Sequence, residues 1–456
     1  MPQLIHAALA ETAMMRMLLL LLLLLLLPVA RSSSFSSPIT LDGDTPWVVA
    51  AELSHPAEIQ DDDLDIIAQG LALRDVELDW YRTTGYRAVI YSNASFDPAT
   101  QLSAHDSAAV FFGDVTANPW LESTFDLRSH GCDLAAQGPE SHCLLTVEGA
   151  TWQGHTIATA VVAVGHGKRG AIFAAYALSE HVLGVAPMHG FAQGAGAPAW
   201  MGGRTLPVPA PAAPLVFPAP LFTHRAIFLN DEELLGFFRR DPLGEAVFDA
   251  STLDAILAAL LRSKGNAIIV GTTPYPDEKS LRLASRRGVV LTASHFEILG
   301  FNAFAWSKAF GGEATKLWDW SLHPDLMMHT WRATVEATRK YEVVWSVGLR
   351  GLNDYAYPLC NSSDAYHGGK GCGEIISEAV GNQTEILTEV TNKTADELDF
   401  KFNLWTEALG LYQRGELRLP NHTRLVMSDS GAGFIHGDAA TFAAADGVYY
   451  HTQSKI

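Results

Sequence analysis

The chain has 456 residues, enough for two or three domains, with 48% hydrophobic residues and a formal net charge of −19. No block of clustered Lys and Arg offsets that charge. Nucleic acid is therefore excluded as an expected partner, because neutralising phosphates needs such clusters.

The first element is a secretory signal. Arg16 precedes Met17, ten leucines run from Leu18 to Leu27, and Pro28-Val29-Ala30 follow. A basic flank, an apolar core of about ten residues and a small residue predict a signal peptide over residues 1–31. The run is shorter than the roughly 20 residues of a membrane span, and the mostly polar Arg31 to Ser37 suits a cleavage region. A secreted, extracellular protein with no membrane association after signal cleavage is the expectation. Five N-x-[ST] sequons, at Asn93, Asn361, Asn382, Asn392 and Asn421, agree with a glycosylated surface. The four cysteines form two close pairs, Cys132 with Cys143 and Cys360 with Cys372. In an oxidising compartment each pair is expected to close a loop disulfide. Neither pair has the spacing of a zinc site, so no metal is expected.

Residues 38–206 are predicted to form a small N-terminal α/β domain. Trp47-Val48-Val49-Ala50, Ala88 to Tyr91 and Ala160 to Val164 read as strands, and Ala171 to Leu183 as a helix with apolar residues at 3.6 spacing. The helix is introduced by Gly165-His166-Gly167-Lys168-Arg169-Gly170, which matches neither the P-loop nor G-x-G-x-x-G and reads as a tight strand-to-helix turn. Residues 207–220, rich in Pro and Ala, predict an extended connector.

From residue 221 to 456 strands alternate with helices. Strand-like runs are Ala226 to Leu229, Ala267 to Val270, Val289 to Thr292, Val343 to Val347, Arg424 to Met427 and a last run from Gly447. Helices are expected at Leu253 to Arg262, Pro324 to Tyr341 and, with an interruption, about Glu374 to Arg414. That gives six β/α units at most, whereas closure of the barrel needs eight. The predicted fold class is α/β: a small N-terminal α/β domain followed by an incomplete (β/α)8 TIM-type barrel.

Polar residues recur where these strands end, as in a barrel active site. They are Arg225, Asn230, Asp231, Glu232 and Glu233; His295 and Glu297; Arg350, Asn353 and Asp354; Asp429; and Tyr449, Tyr450 and His451. Carboxylates dominate, and neither G-x-S-x-G nor H-E-x-x-H occurs. Acids around a cleft suit glycoside hydrolysis, in which one acid protonates the leaving oxygen and another carboxylate activates water or attacks carbon. Trp306, Trp318, Trp320 and Trp331 offer flat faces for sugar rings, although most Trp side chains of a domain belong to its core.

The segments FLNDEE (228–233), TASHFEILGFN (292–302), GLRGLNDYAYP (348–358), MSDSGAGFIHGD (427–438) and GVYYHT (447–452) resemble glycoside hydrolase family 115, the xylan α-1,2-glucuronidases. GHGKRGAIFAAYALSEHVLGVAP (165–187) resembles that family's N-terminal α/β domain, so the likeness spans nearly all of the chain after the signal peptide. The resemblance implies an inverting acid/base hydrolase that removes glucuronic acid, or its 4-O-methyl ether, from glucuronoxylan or xylo-oligosaccharides. It implies no metal and no cofactor. Asp354 and Glu407 are the implied catalytic carboxylates. Arg225, Asn230, Asp231, His295, Glu297, Arg350, Asn353, Asp429, Tyr449 and Tyr450 are the implied substrate-binding residues. Among them Arg225 and Arg350 suit an anionic uronate, because a guanidinium pairs with a carboxylate through two hydrogen bonds. Two departures concern the acids: Tyr355 stands where many members carry an acid, and Ser428-Asp429-Ser430 where they commonly show an acid pair. On this resemblance, the last barrel units, helical domain and β-sandwich of the family are expected to be missing from this chain. The alternative expectation is thus a truncated, catalytically inactive glycan-binding fragment, or an incomplete gene model of such an enzyme. Nothing in the sequence selects an oligomeric state.

Overall fold

A computed structural model describes residues 39–41, 45–50, 64–102, 108–191, 206–208, 213–229, 249–270, 279–302, 317–351, 356–357, 360, 370–429 and 434–451. The expected signal peptide lies outside these residues. Among them, no helix is long and apolar enough to cross a membrane.

Two sheets organise the molecule. Strands β1 (Ile39–Leu41) and β2 (Pro46–Val49) open the chain. The helix Leu64–Thr84, β3 (Val89–Ser92), β4 (Ala108–Asp114), β5 (His142–Trp152) and β6 (His155–Gly165) follow. With β8 (Leu215–Phe217), the first sheet runs in the order β3-β2-β4-β6-β5-β8. Its strands β3, β2, β4 and β6 are parallel, and β5 and β8 add an antiparallel edge. Within the expected connector 207–220, β8 (Leu215–Phe217) thus joins this sheet, and β7 (Leu206–Val208) pairs with β1.

The glycine-rich turn ends β6 and starts the helix Gly167–His181. A Cβ on Gly165 would come within 1.8 Å of the Gly170 carbonyl carbon, and Gly167 has φ +75°. Close approach therefore explains the glycines. The backbone N–H of Gly167 donates to Asp114 Oδ1 at 2.9 Å, so the protein's own carboxylate occupies this helix start. The turn is structural, as the missing phosphate-binding patterns indicated.

The second sheet holds seven parallel strands among the described residues: β9 (Ala226–Phe228), β10 (Ala267–Ile269), β11 (Val290–Thr292), β14 (Val343–Val347), β15 (Phe400–Leu404), β16 (Arg424–Ser428) and β17 (Gly447–Tyr449). The hairpin β12 (Glu297–Ile298) and β13 (Phe301–Asn302) leaves the end of β11. Helices Ala250–Arg262, Lys279–Arg286, Pro324–Thr338, Cys372–Thr391 and Glu407–Gln413 cover the outside. The two edge strands approach each other without pairing, with the rings of Phe228 and Tyr449 6.1 Å apart. This is an incomplete TIM-type barrel beside an N-terminal α/β unit, as expected.

The number of strands corrects the sequence reading. The stretch expected as one interrupted helix to Arg414 contains β15, whose Phe400-Lys401-Phe402-Asn403-Leu404 alternates between buried and half-buried. Phe400, Phe402 and Leu404 pack with Trp345 and Val347 against the covering helices. The alternate residues, Lys401 and Asn403, turn into the barrel. The five inner strands, β10, β11, β14, β15 and β16, bury residues on the helix side, while the interior carries a small apolar layer of Ala267, Val290 and Val344. Both expected disulfides, Cys132–Cys143 and Cys360–Cys372, are present.

The two units share a core. Trp47, Ile172 and Phe173 of the first lie in one apolar cluster with Leu253, Leu257, Ile268 and Leu291 of the second. Ion pairs surround it: Arg169 with Glu140 and Glu342, Arg262 with Asp79, and Arg287 with Asp75 and Asp254.

Candidate active site at the C-terminal strand ends

The barrel mouth is built by turns that follow β11, β14, β15, β16 and β17. After β14 the chain must turn sharply at Gly348, whose φ is +146°. Gln383, fully buried on the Cys372–Thr391 helix, clamps that glycine. Its Oε1 accepts from Gly348 N at 2.9 Å and its Nε2 donates to Gly348 O at 2.7 Å. Two residues later Arg350, 6% exposed, reaches across to the end of β15. Its Nη1 donates to Glu407 Oε1 at 2.7 Å, to Glu407 Oε2 at 2.6 Å and to Thr406 Oγ1 at 2.9 Å.

Glu407 opens the short helix after β15, and Thr406 before it has φ +47° and ψ −114°. A β-branched residue there is strained by about 1–3 kcal/mol, a cost met mainly where a site over-determines the backbone. Beside it, Glu407 faces Arg350 and Trp405 lies at the mouth. A series of rings crosses the strand ends: His295 lies 5.3 Å from Trp405, Trp405 6.0 Å from His451, and His451 4.9 Å from Tyr449. Tyr449 then meets Phe228 at the far edge.

Beneath this arc the interior is polar. Glu297, 4% exposed, accepts from Ser294 N and Oγ at 3.1 and 2.9 Å and ties the turn that carries His295. Ser346 Oγ donates to Ser294 O at 2.9 Å, and Asn403 Nδ2 to Ser346 Oγ at 3.3 Å. Lys401 Nζ donates to Ala293 O at 2.8 Å. Burial pulls the Lys401 ammonium down to about 8, with Glu297 opposing. Asp429, 1% exposed, bonds the His451 ring and receives its backbone N–H at 3.3 Å.

Of the residues singled out in the sequence, Arg350, Glu407, His295, Glu297, Asp429 and Tyr449 come together at this mouth. Val448 and Tyr450 point to the other face of β17, each 54% exposed, so Tyr449 is the tyrosine of the arc. Arg225 lies at the opposite, N-terminal end of β9. Its guanidinium is held by Glu140 Oε2 at 2.6 Å, Lys264 O at 2.6 Å and Phe222 O at 2.8 Å, which makes it a domain-contact residue rather than a uronate ligand. Asn230, Asp231, Glu232, Glu233, Asn353, Asp354 and Trp306 lie outside the described residues. Trp318, Trp320 and Trp331 stack in the core, 6% exposed or less, and offer no sugar platform. Trp405 is the ring that the sequence reading passed over; the alternation Phe400 to Leu404 was the signal, since a strand there puts Trp405 at its C-terminal end. Among the described residues no group of three or more His, Cys, Asp and Glu is placed to hold a metal.

Fold and mouth together define a β/α-barrel protein of the kind whose chemistry sits at the C-terminal strand ends. A family model described as glycosyl hydrolase family 115 matches residues 218–455, and the chain belongs to that family. Among solved structures it is similar to a family GH115 4-O-methyl-α-glucuronidase with specificity for decorated arabinogalactans, at 19% identity and a TM-score of 0.67. The match covers 90% of this chain and 49% of that one, so this chain spans about half the length of the solved relative. A Streptomyces plicatus N-acetyl-β-hexosaminidase aligns at 10% identity over 91% of this chain and 71% of that one, with a TM-score of 0.43, too low to carry an argument. No curated protein matches the chain.

Proposed function

We propose that this chain carries the barrel part of a glycoside hydrolase that removes glucuronic acid or 4-O-methylglucuronic acid, α-1,2-linked, from the side branches of glucuronoxylan. The observation that supports it most is the Arg350–Glu407 pair beside the His295–Trp405–His451–Tyr449 arc, at the strand ends of a family 115 barrel. The rings provide flat apolar faces for sugar rings. Glu407 and Asp354 are the proposed carboxylate pair, one protonating the leaving oxygen and the other activating water for inversion. Arg350 holds Glu407 in place, and Asp429 fixes His451 under the sugar. Asn230, Asp231 and Asn353 remain proposed as further substrate contacts, whereas Tyr450, turned away from the arc, does not. No metal or cofactor takes part in the proposed reaction.

The test is release of free uronic acid from glucuronoxylan and, separately, from a decorated arabinogalactan. Release from the first with little from the second is the expected outcome, and Glu407→Gln should lower kcat about 10²–10⁴-fold. Release from arabinogalactan alone would overturn the xylan assignment, and release from neither would overturn the hydrolase. The ring arc is a sugar-stacking surface even without turnover, so a glycan-binding role is the second reading. Retarded migration in xylan-containing gels, with no uronic acid released, would select it.

Secretion is part of the same proposal. The leucine run, the two disulfides and the exposed sequons at Asn392 and Asn421 support it. A size shift on enzymatic deglycosylation of the protein recovered from medium is expected.

A further inference from the structure

At the other end of the barrel from the mouth, a cavity of about 520 Å³ opens between the first sheet, the start of β9 and the end of the Ala250–Arg262 helix. Its walls are Phe173, Phe217, Pro218, Pro220, Ile227 and Leu260. Small-molecule sites have this size, about 300–1,000 Å³, and form preferentially where domains meet. None of the proposed hydrolase groups reaches it.

Two cations line this apolar space, Arg225 and Lys264. Lys264 follows the Ala250–Arg262 helix in the left-handed region, φ +64°. Glycine is the usual residue there, and a Cβ costs roughly 1–2 kcal/mol. The lysine instead directs its ammonium between two rings, 5.7 Å from the Phe173 centroid and 5.8 Å from that of Phe217. Among the described residues its one hydrogen bond, to Phe173 O, is long at 3.3 Å. Burial pulls this ammonium down to about 8, and the Glu180 charge opposes that without forming a salt bridge among the described residues; the Arg225 guanidinium nearby is already matched by Glu140. His142, 3% exposed, stacks on Phe217 at 4.5 Å, and burial pushes its imidazole down to about 3, so it is neutral and leaves the positive charge to Lys264. A half-buried ammonium with no salt-bridge partner among the described residues, set among aromatic and proline faces, is complementary to an anion with an apolar body.

We propose that this interdomain cavity binds a small organic anion with a flat apolar body, of the size and charge of a monocyclic aromatic carboxylate, whose carboxylate lies on the Lys264 ammonium. The aromatic body would fill the space between Phe217 and Leu260, so that the ligand touches both units and raises the stability of their contact.

Calorimetric titration of the protein with cinnamate, and with cinnamyl alcohol as the uncharged match, tests this. The expected result is saturable one-to-one binding of cinnamate, with the alcohol about tenfold or more weaker, as the loss of a charge-assisted hydrogen bond requires. Lys264→Asn, a residue that tolerates the left-handed backbone, should weaken cinnamate to the level of the alcohol. Phe217→Ala should weaken both. Excess glucuronate should not compete, which separates this site from the barrel mouth and keeps the outcome independent of hydrolysis. Equal binding of acid and alcohol, unchanged binding in Lys264→Asn, competition by glucuronate, or no saturable binding by the folded protein would each overturn the proposal.

Discussion

Arg350 and Glu407 come from the ends of neighbouring strands and meet with side chains only 6% and 14% exposed. Taking the guanidinium away leaves the Glu407 carboxylate largely buried without it, which costs about 3–5 kcal/mol in a buried pair. Arg350→Met is therefore expected to lower unfolding stability by about 3 kcal/mol in urea titrations, and an unchanged midpoint would refute the pair's role. Lys401 shows the reverse economy. Its pKa falls from 10.5 to about 8, so folding disfavours its charge. Below pH 8 that penalty is complete; between 8 and 10.5 the unfolded chain holds more protons and stability rises with pH. Lys401→Met should hence raise the melting temperature at neutral pH, with the advantage fading toward pH 10.5. A lysine kept at such a cost beneath the mouth is there for what it holds, the Ala293 carbonyl of the His295 turn.

Strand β15 and the helix Cys372–Thr391 show how the elements carry the site. The strand sets Trp405, Thr406 and Glu407 at its end, and the helix fixes the turn after the preceding strand, β14, through Gln383. Gln383→Leu would orphan the N–H and C=O of Gly348 in a dry core, at about 1–3 kcal/mol for each buried group. The expected outcome is a loss of stability of about 2 kcal/mol or more, seen as a lower urea midpoint, together with a slower hydrolase if the mouth is active. A stable variant with normal kinetics would show that Gly348 turns without the clamp. In the sequence, Phe400-Lys401-Phe402-Asn403-Leu404 is visible as a two-residue period, yet it lies between two helical stretches and is only five residues long. Periodicity in so short a window competes poorly with helical neighbours, which is why the strand, and Trp405 with it, escaped the sequence reading.

For the molecule as a whole, the contact between the α/β unit and the barrel joins an apolar cluster to a ring of ion pairs. Burial raises the Glu342 carboxyl, but hydrogen bonding and charge from Arg169, with Lys168 beside it, win and bring it down to about 2. Glu140 is lowered likewise, burial being outweighed by Asn266, Arg225 and Arg169. A carboxylate depressed by folding contributes fully above its unfolded value, and its contribution is lost as pH falls through the folded value. Melting temperature should thus hold near neutrality and decline from about pH 4.5 toward 2. Glu342→Gln should flatten that decline; an identical pH profile would place the acid sensitivity elsewhere. Glu342 is 44% exposed, so salt should also weaken its pair.

The sequence by itself determined the class of fold, the pairing of the cysteines and the family. Strand-forming runs, turn glycines and family segments are local, and each is set by residues a few positions apart. It also put Arg350, His295, Asp429 and Tyr449 among the candidates, since polar residues just after apolar strands end at the barrel mouth, and Glu407 through the family resemblance alone. Only the tertiary structure decided which of them meet. Arg225 begins its strand where the others follow theirs, and a direction along the barrel axis separates it from the mouth. Tyr449 and Tyr450 are adjacent in the chain, and the alternation of a strand, fixed by its pairing with β16, decides which one enters the ring arc. Trp318, Trp320 and Trp331 were eligible as platforms until packing buried them. The cavity around Lys264 has no sequence signature, because its walls come from both units and exist only where the two are docked.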